Sequence, residues 1–67
     1  MTTDDLIRTI KKFTVANGRG PNSVSELQMA LASSIGVSVD EFDVREQLEV
    51  AISGGLVHVN DQGCFAC

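Results

Sequence analysis

Apolar residues recur along the start of the chain at the three- and four-residue spacing of an amphipathic helix. Thr3 stands before two carboxylates as the expected N-cap, and the Asn17-Gly18 pair is a suitable C-cap. The pattern therefore predicts a first helix over about residues 4–17. Its inward stripe consists of Leu6, Ile7, Ile10, Phe13 and Ala16.

A second helix is predicted over about residues 26–35, after a loop that contains glycine and proline. Two overlapping capping boxes stand at its start, one with Ser23 and the other with Ser25 as the N-cap. We prefer Ser25, because that choice leaves Val24 free to form a very short strand before the helix.

The third helix is predicted over about residues 41–53, and a pair of glycines stops it. Either Ser38 or Asp40 can cap its start. Phe42 lies off the main apolar face, and we expect it to pack into the turn between the second and third helices. The apolar face consists of Val44, Leu48, Ala51 and Ile52.

After the third helix the pattern changes to that of a β-hairpin over about residues 56–66. The run Leu56–Val59 is β-prone, Asn60–Gly63 is typical of a turn, and Cys64–Ala66 can pair back. With the short strand before the second helix, the hairpin would make a three-stranded antiparallel sheet. This order predicts an α+β fold, a winged helix-turn-helix with the hairpin as its wing, in a single domain over residues 1–67. The expected core consists of Leu6, Ile10, Phe13, Leu27, Leu31, Val44, Leu48, Ile52, Val57, Val59 and Phe65.

Composition limits the function more than it limits the fold. The chain has 67 residues, with no Trp, no Tyr and three Phe, which leaves little material for a deep substrate cleft beside a core. No nucleophile and base stand at a recognisable catalytic spacing, so we expect no enzyme and no cofactor. Nine acidic against five basic residues give a net charge of −4, the wrong sign for a surface that binds phosphates throughout.

The two cysteines and the single histidine are the only soft metal ligands in the chain. Cys64 and Cys67 stand at the C-terminal end of the expected hairpin, where a disulfide would close a very small loop. A structural zinc site needs four ligands, and with His58 the chain offers three, so we expect no metal site.

With no signal-peptide pattern and no apolar run of membrane-spanning length, we expect a reducing compartment, the nucleus or the cytoplasm, and no membrane partner.

In a DNA-binding winged helix the third helix lies in the major groove, but here its outward side is acidic. Apart from Arg45, the charged residues of this helix are carboxylates. Because affinity for DNA follows the number of phosphates that are neutralised, we do not expect this helix to read a duplex. Weak or indirect nucleic-acid contacts would involve the cations Arg8, Lys11, Lys12, Arg19 and Arg45.

An acidic winged helix suits the docking of a basic amphipathic helix or a basic tail of another protein. The wing offers the candidate contacts Val57, His58, Asn60 and Asp61, and Glu49 adds negative charge from the third helix. These five residues are the predicted partner-binding site.

The segment VREQLEVAISGGLVHVNDQGCF resembles the winged-helix domain at the C-terminus of the 32-kDa subunit of replication protein A. The C-terminal winged helices of the MCM replicative helicases are similar. The resemblance implies a module that recruits replication and repair factors by binding their short helical segments. It implies contacts at Glu49, Val57, His58 and Asp61, with His58 at a position where the family usually has an aromatic residue. The matching positions are Val44, Leu48, Ile52, Gly55, Leu56, Val57, His58, Asp61 and Phe65.

The sequence leaves three hypotheses. The first is a protein-interaction module of a DNA replication or repair assembly. The alternative is a small winged-helix DNA-binding transcriptional regulator that uses the wing or the first helix, either as a monomer or as a homodimer that buries part of the third helix. The third is an oligomerisation domain. Binding to DNA that falls steeply as salt rises would distinguish the regulator from the interaction module.

Overall fold

Three helices precede a small hairpin in the computed structural model, which describes all residues, 1–67. The strands are antiparallel, with His58 opposite Ala66 and Val59 opposite Phe65, and they form a two-stranded sheet. The predicted α+β class is therefore confirmed. None of the three helices combines the length and the apolar composition that a membrane span requires. The elements are α1 (Thr3–Asn17), α2 (Val24–Ile35), α3 (Glu41–Ser53), β1 (His58–Val59) and β2 (Phe65–Ala66).

Helix α1 begins one residue earlier than the sequence suggested, because Thr2 and not Thr3 is its N-cap. The Thr2 hydroxyl accepts a hydrogen bond from the Asp5 backbone N–H, and the Asp5 carboxylate accepts one from the Thr2 backbone N–H. This capping box holds the pKa of Asp5 below its usual value, mainly through the Thr2 backbone hydrogen bond. The Thr3 hydroxyl is left free to donate to Oε1 of Gln47 at 2.8 Å, which ties the start of α1 to α3.

The start of α2 also differs from the prediction. Ser23 is the N-cap, since its hydroxyl accepts from the backbone N–H of Glu26 at 3.1 Å. Val24 is therefore the first residue of α2 and not a strand, and Ser25 lies inside the helix. The expected third strand is absent. In its place, one backbone hydrogen bond joins this segment to the hairpin, from the Phe65 N–H to the Pro21 carbonyl at 2.8 Å.

Asp40 caps α3, and its carboxylate accepts from the backbone N–H of Phe42 at 3.0 Å. The Phe42 side chain is 67% exposed, so the expectation that it packs into the turn before α3 is wrong. Its position in the first turn of α3, off the stripe formed by Val44 and Leu48, directs it away from the core.

Residues from all three helices and the chain before β1 form one hydrophobic core. Ala51, and not its neighbour Ile52, completes the inward stripe of α3, and Ile52 is exposed. Val59 is exposed as well, whereas Phe13 and Phe65 are only partly buried. The core cluster consists of Leu6, Ile10, Leu27, Leu31, Val44, Leu48, Ala51 and Val57.

Candidate functional site

The exposed side of α3 carries carboxylates that have no cation beside them. Asp43, Glu46 and Glu49 are exposed and form no salt bridge. Glu41 is the exception, because its carboxylate lies 3.5 Å from the guanidinium of Arg45, one turn further along the helix. An exposed pair of this kind contributes little to stability. The net effect is a helix surface of negative charge.

Exposed apolar side chains lie at the end of α3 and in the hairpin that follows. The chain turns back at once, because the backbone N–H of Leu56 donates to the carbonyl of Ala51 at 2.9 Å. This turn keeps Leu56 beside the last turn of α3, which also carries Val50. We define the α3–hairpin surface as three parts: the exposed carboxylates of α3, the exposed apolar side chains at the end of that helix and just after it, and the hairpin. Its exposed apolar residues are Val50, Ile52, Leu56 and Val59.

Two of the predicted hairpin contacts are structural residues. Val57 is 1% exposed and lies in the core, so it cannot contact a partner and is removed from the site. The Asn60 side-chain oxygen accepts from the backbone N–H groups of Gln62 and Cys64, at 3.0 and 3.1 Å, and so holds the hairpin turn. The prediction that Val57 lies in the core is thus confirmed, and the prediction that it contacts a partner is wrong.

Three of the predicted partner contacts remain on the surface. His58 is exposed in β1, Asp61 is exposed in the hairpin turn, and Glu49 is exposed on α3. No hydrogen bond or salt bridge joins Glu49 to the two hairpin residues, and the connection between them runs through the backbone at the end of α3. Exposure and the course of the chain therefore relate these three residues, and no direct polar contact holds them together.

The predicted nucleic-acid contacts divide into free and engaged cations. Arg8, Lys11 and Lys12 are exposed on α1 and form no salt bridge. The Arg45 guanidinium pairs with Glu41 on the acidic side of α3. This leaves α1 as the one element with uncompensated positive side chains.

Arg19 is held in a structural cluster that the sequence did not reveal. Its guanidinium lies 2.9 Å from the Glu26 carboxylate and 5.7 Å from the centre of the Phe13 ring. The hydrogen bond from Arg19, and after it the one from the Asn22 backbone N–H, holds the pKa of Glu26 below its usual value. Arg19 therefore fixes the loop between α1 and α2, and it is poorly placed to neutralise a phosphate.

The cysteines remain separate and free. Cys64 is buried, whereas Cys67 is exposed, with its sulfur 3.8 Å from the carbonyl oxygen of Ile7. Partial burial raises the pKa of the Cys67 thiol, which disfavours the reactive thiolate. No group of three or more histidine, cysteine or acidic side chains lies close enough together to hold a metal ion.

Comparison with protein-family models, with curated proteins and with solved structures gives no match for this chain. The function is therefore argued from the surface itself.

Proposed function

We propose that this chain is a winged-helix protein-interaction module that binds a basic amphipathic segment of another protein, within an assembly that replicates or repairs DNA. The observation that carries the proposal is the α3–hairpin surface, where unpaired carboxylates adjoin exposed apolar side chains. A basic amphipathic helix has the complementary composition, with cations for the carboxylates and apolar side chains for the rest.

The arrangement of the chain supports the winged-helix part of the proposal. The helices are followed by a hairpin, and the segment after α1 contacts the second strand of that hairpin through the Pro21–Phe65 hydrogen bond. In a winged helix the segment at this point forms the first strand and pairs with the wing. Here a proline and the early start of α2 at Val24 shorten that strand to one backbone hydrogen bond.

The contacts divide into two roles. Glu49 and Asp61 provide negative charge that attracts the partner and sets its orientation, and His58 adds a polar contact on the strand. Val50 and Leu56 provide the apolar area that a bound helix would cover. The acidic residues alone would give a weak, strongly salt-dependent interaction, so the apolar residues account for affinity at moderate salt.

The second candidate is a small winged-helix DNA-binding transcriptional regulator. The observation in its favour is the exposed, unpaired set Arg8, Lys11 and Lys12 on α1. Three cations on one helix are few for duplex binding, and the acidic side of α3 repels phosphates. This candidate therefore ranks below the interaction module.

The test is an NMR titration of ¹⁵N-labelled protein with a designed Leu/Lys amphipathic helical peptide of about 18 residues, or five helical turns. We expect the amide signals of Glu49, Val50, Leu56, His58 and Asp61 to shift and those of α2 to stay in place. A Leu/Glu peptide of the same length is the matched control and should cause no shifts in this set. Shifts spread evenly over the protein, or equal shifts with both peptides, would contradict the proposal.

A further inference from the structure

Phe42 is the one fully exposed aromatic side chain of this protein. It is 67% exposed, whereas Phe13 and Phe65, the other two phenylalanines, are partly buried. Its backbone is held in place, because its N–H donates to the Asp40 carboxylate that caps α3. Aromatic side chains cover a large area on contact and are enriched in protein interfaces. Phe42 is therefore available for contact at the start of α3, beyond the α3–hairpin surface.

Phe42, Glu46 and Val50 form one ridge along α3. They follow each other at intervals of four residues, and side chains at this spacing stand in a row on the surface of a helix. All three side chains are exposed, Val50 by 58%. The ridge is about 12 Å long, since each residue of a helix adds about 1.5 Å along the axis. Its order is aromatic, acidic and aliphatic.

The carboxylates on this ridge and beside it are unpaired. Glu46 lies at the middle of the ridge, with Asp43 on one side and Glu49 on the other, and none of them forms a salt bridge. Arg45 is the one cation of α3, and its guanidinium lies 3.5 Å from the carboxylate of Glu41. Negative charge is therefore concentrated between the two apolar ends of the ridge.

A helix of complementary order fits this ridge. Two helices pack by placing the side-chain rows of one into the grooves of the other. Apolar residues of the bound helix would cover Phe42 and Val50, and a cation midway between them would lie over Glu46. A second copy of this chain is a poor occupant, because two α3 helices packed through this ridge would place Glu46 opposite its own counterpart.

We infer that the segment bound by this protein is a helix that lies along α3, with apolar residues at positions i and i+8 and a lysine or arginine at i+4. The inference rests on the proposed function. It specifies the residue pattern of the partner, and it extends the contact surface to Phe42 in the first turn of α3.

The experiment compares two helical peptides of about 18 residues in NMR titrations of ¹⁵N-labelled protein. The first carries Leu, Lys and Leu at positions i, i+4 and i+8. The matched control has the same composition but the order Leu, Leu and Lys at these positions. We expect the first peptide to bind about fivefold more tightly, because only it pairs a cation with Glu46 while both apolar ends are covered. It should also shift the amide signals of Phe42, Asp43 and Glu46.

Two variants test Phe42 directly. Phe42→Ala should weaken binding of the first peptide about five- to tenfold, through the loss of an aromatic contact. The matched control Met29→Ala removes another large exposed apolar side chain, from α2, and should change affinity by less than about twofold. Because both side chains are exposed, each free variant should keep its Tm within about 4 °C of that of the parent protein.

Equal affinities of the two peptides, or equal effects of Phe42→Ala and Met29→Ala, would overturn the inference. If the Leu/Lys peptide still shifts Leu56, His58 and Asp61 in that case, the proposed function stands and only the course of the bound helix along α3 is wrong. If that peptide shifts nothing either, both fail. Shifts along α3 that depend on protein concentration without peptide would also overturn the inference, since they would identify a second copy as the occupant.

Discussion

Replacing Gly20 with alanine should destabilise this protein more than any other glycine substitution in the chain. A Cβ atom at Gly20 would overlap the carbonyl oxygen of Phe65 and lie 3.1 Å from its carbonyl carbon. Both atoms belong to the backbone, so no side-chain rotation relieves the collision. The hairpin must move away from the loop between α1 and α2, and the Phe65 N–H to Pro21 hydrogen bond is lost with it.

The structure gives the size of the effect. Forcing an extra methyl group into a packed site costs about 1–3 kcal/mol, and the lost hydrogen bond adds about 1 kcal/mol. The sum of about 2–4 kcal/mol is comparable with the whole stability of a domain of this size, about 3–5 kcal/mol. Gly20→Ala should therefore lower the Tm by at least about 10 °C and leave a measurable unfolded fraction at room temperature.

Thermal and urea unfolding, followed by circular dichroism, provide the assay, with two other glycines as controls. Gly54→Ala places its Cβ 3.4 Å from the nearest atom, at ordinary contact distance, and should change stability by less than about 0.5 kcal/mol. Gly18→Ala meets nothing within 4 Å but has a φ of 73°, so it should cost about 1–2 kcal/mol. If Gly20→Ala is as stable as Gly54→Ala, the contact between the loop and the hairpin is wrong.

Two further predictions concern the start of α2. Ser23→Ala should destabilise the protein by about 1 kcal/mol, whereas Ser25→Ala should be nearly neutral, because only Ser23 caps the helix; equal losses in urea unfolding would contradict this assignment. The hydrogen bond from Arg19 is the main cause of the lowered pKa of Glu26. The ionised Glu26 carboxylate therefore stabilises the fold above the ordinary glutamate pKa, and this stabilisation is lost as the pH falls through the lowered value. The free energy of unfolding should therefore decrease as the pH drops below about 4.3, and it should decrease less steeply in Glu26→Gln. Parallel pH profiles for the two proteins would refute the role of the Arg19–Glu26 pair.

The helices could be predicted from the sequence because two signals agree at each of them. Apolar residues at helical spacing give the body of α1 and α3, and Gly18 and Gly36 stop α1 and α2 as left-handed C-caps. The predicted ranges therefore lie within two residues of the observed ones. Cap choice was less certain, since Ser23 and Ser25 have equal local chemistry.

The errors concern contacts that only the packed structure decides. Ala51 and Ile52 are both predicted on the apolar face of α3, but consecutive helical residues point about 100° apart, and only Ala51 is buried. Val57 and Val59 are both predicted in the core, but only Val57 is buried, and it belongs to the turn after α3, where its N–H donates to the Ala51 carbonyl. The alternation of a two-residue strand is too short to correct such an error.

The candidate site was only partly predictable for the same reason. Charge can be counted along a sequence, so the acidic side of α3 and the role of Glu49 could be proposed directly. Whether a cation is free depends on contacts across the fold. The pairing of Arg19 with Glu26 joins the loop after α1 to the first turn of α2, so no spacing within one helix predicts it. The exposure of Val50 could have been inferred, since it lies outside the stripe that contains Leu48 and Ala51.

The most direct test of the proposed function compares the affinity of two charge-reversal variants for the Leu/Lys peptide. Glu49→Lys lies on the α3–hairpin surface, and Asp4→Lys changes the charge by the same amount in the first turn of α1. We predict that Glu49→Lys weakens peptide binding by about five- to tenfold, and that Asp4→Lys changes it by less than about twofold. Equal affinities of the two variants would contradict the account, because the acidic surface of α3 would then not be where a basic segment binds.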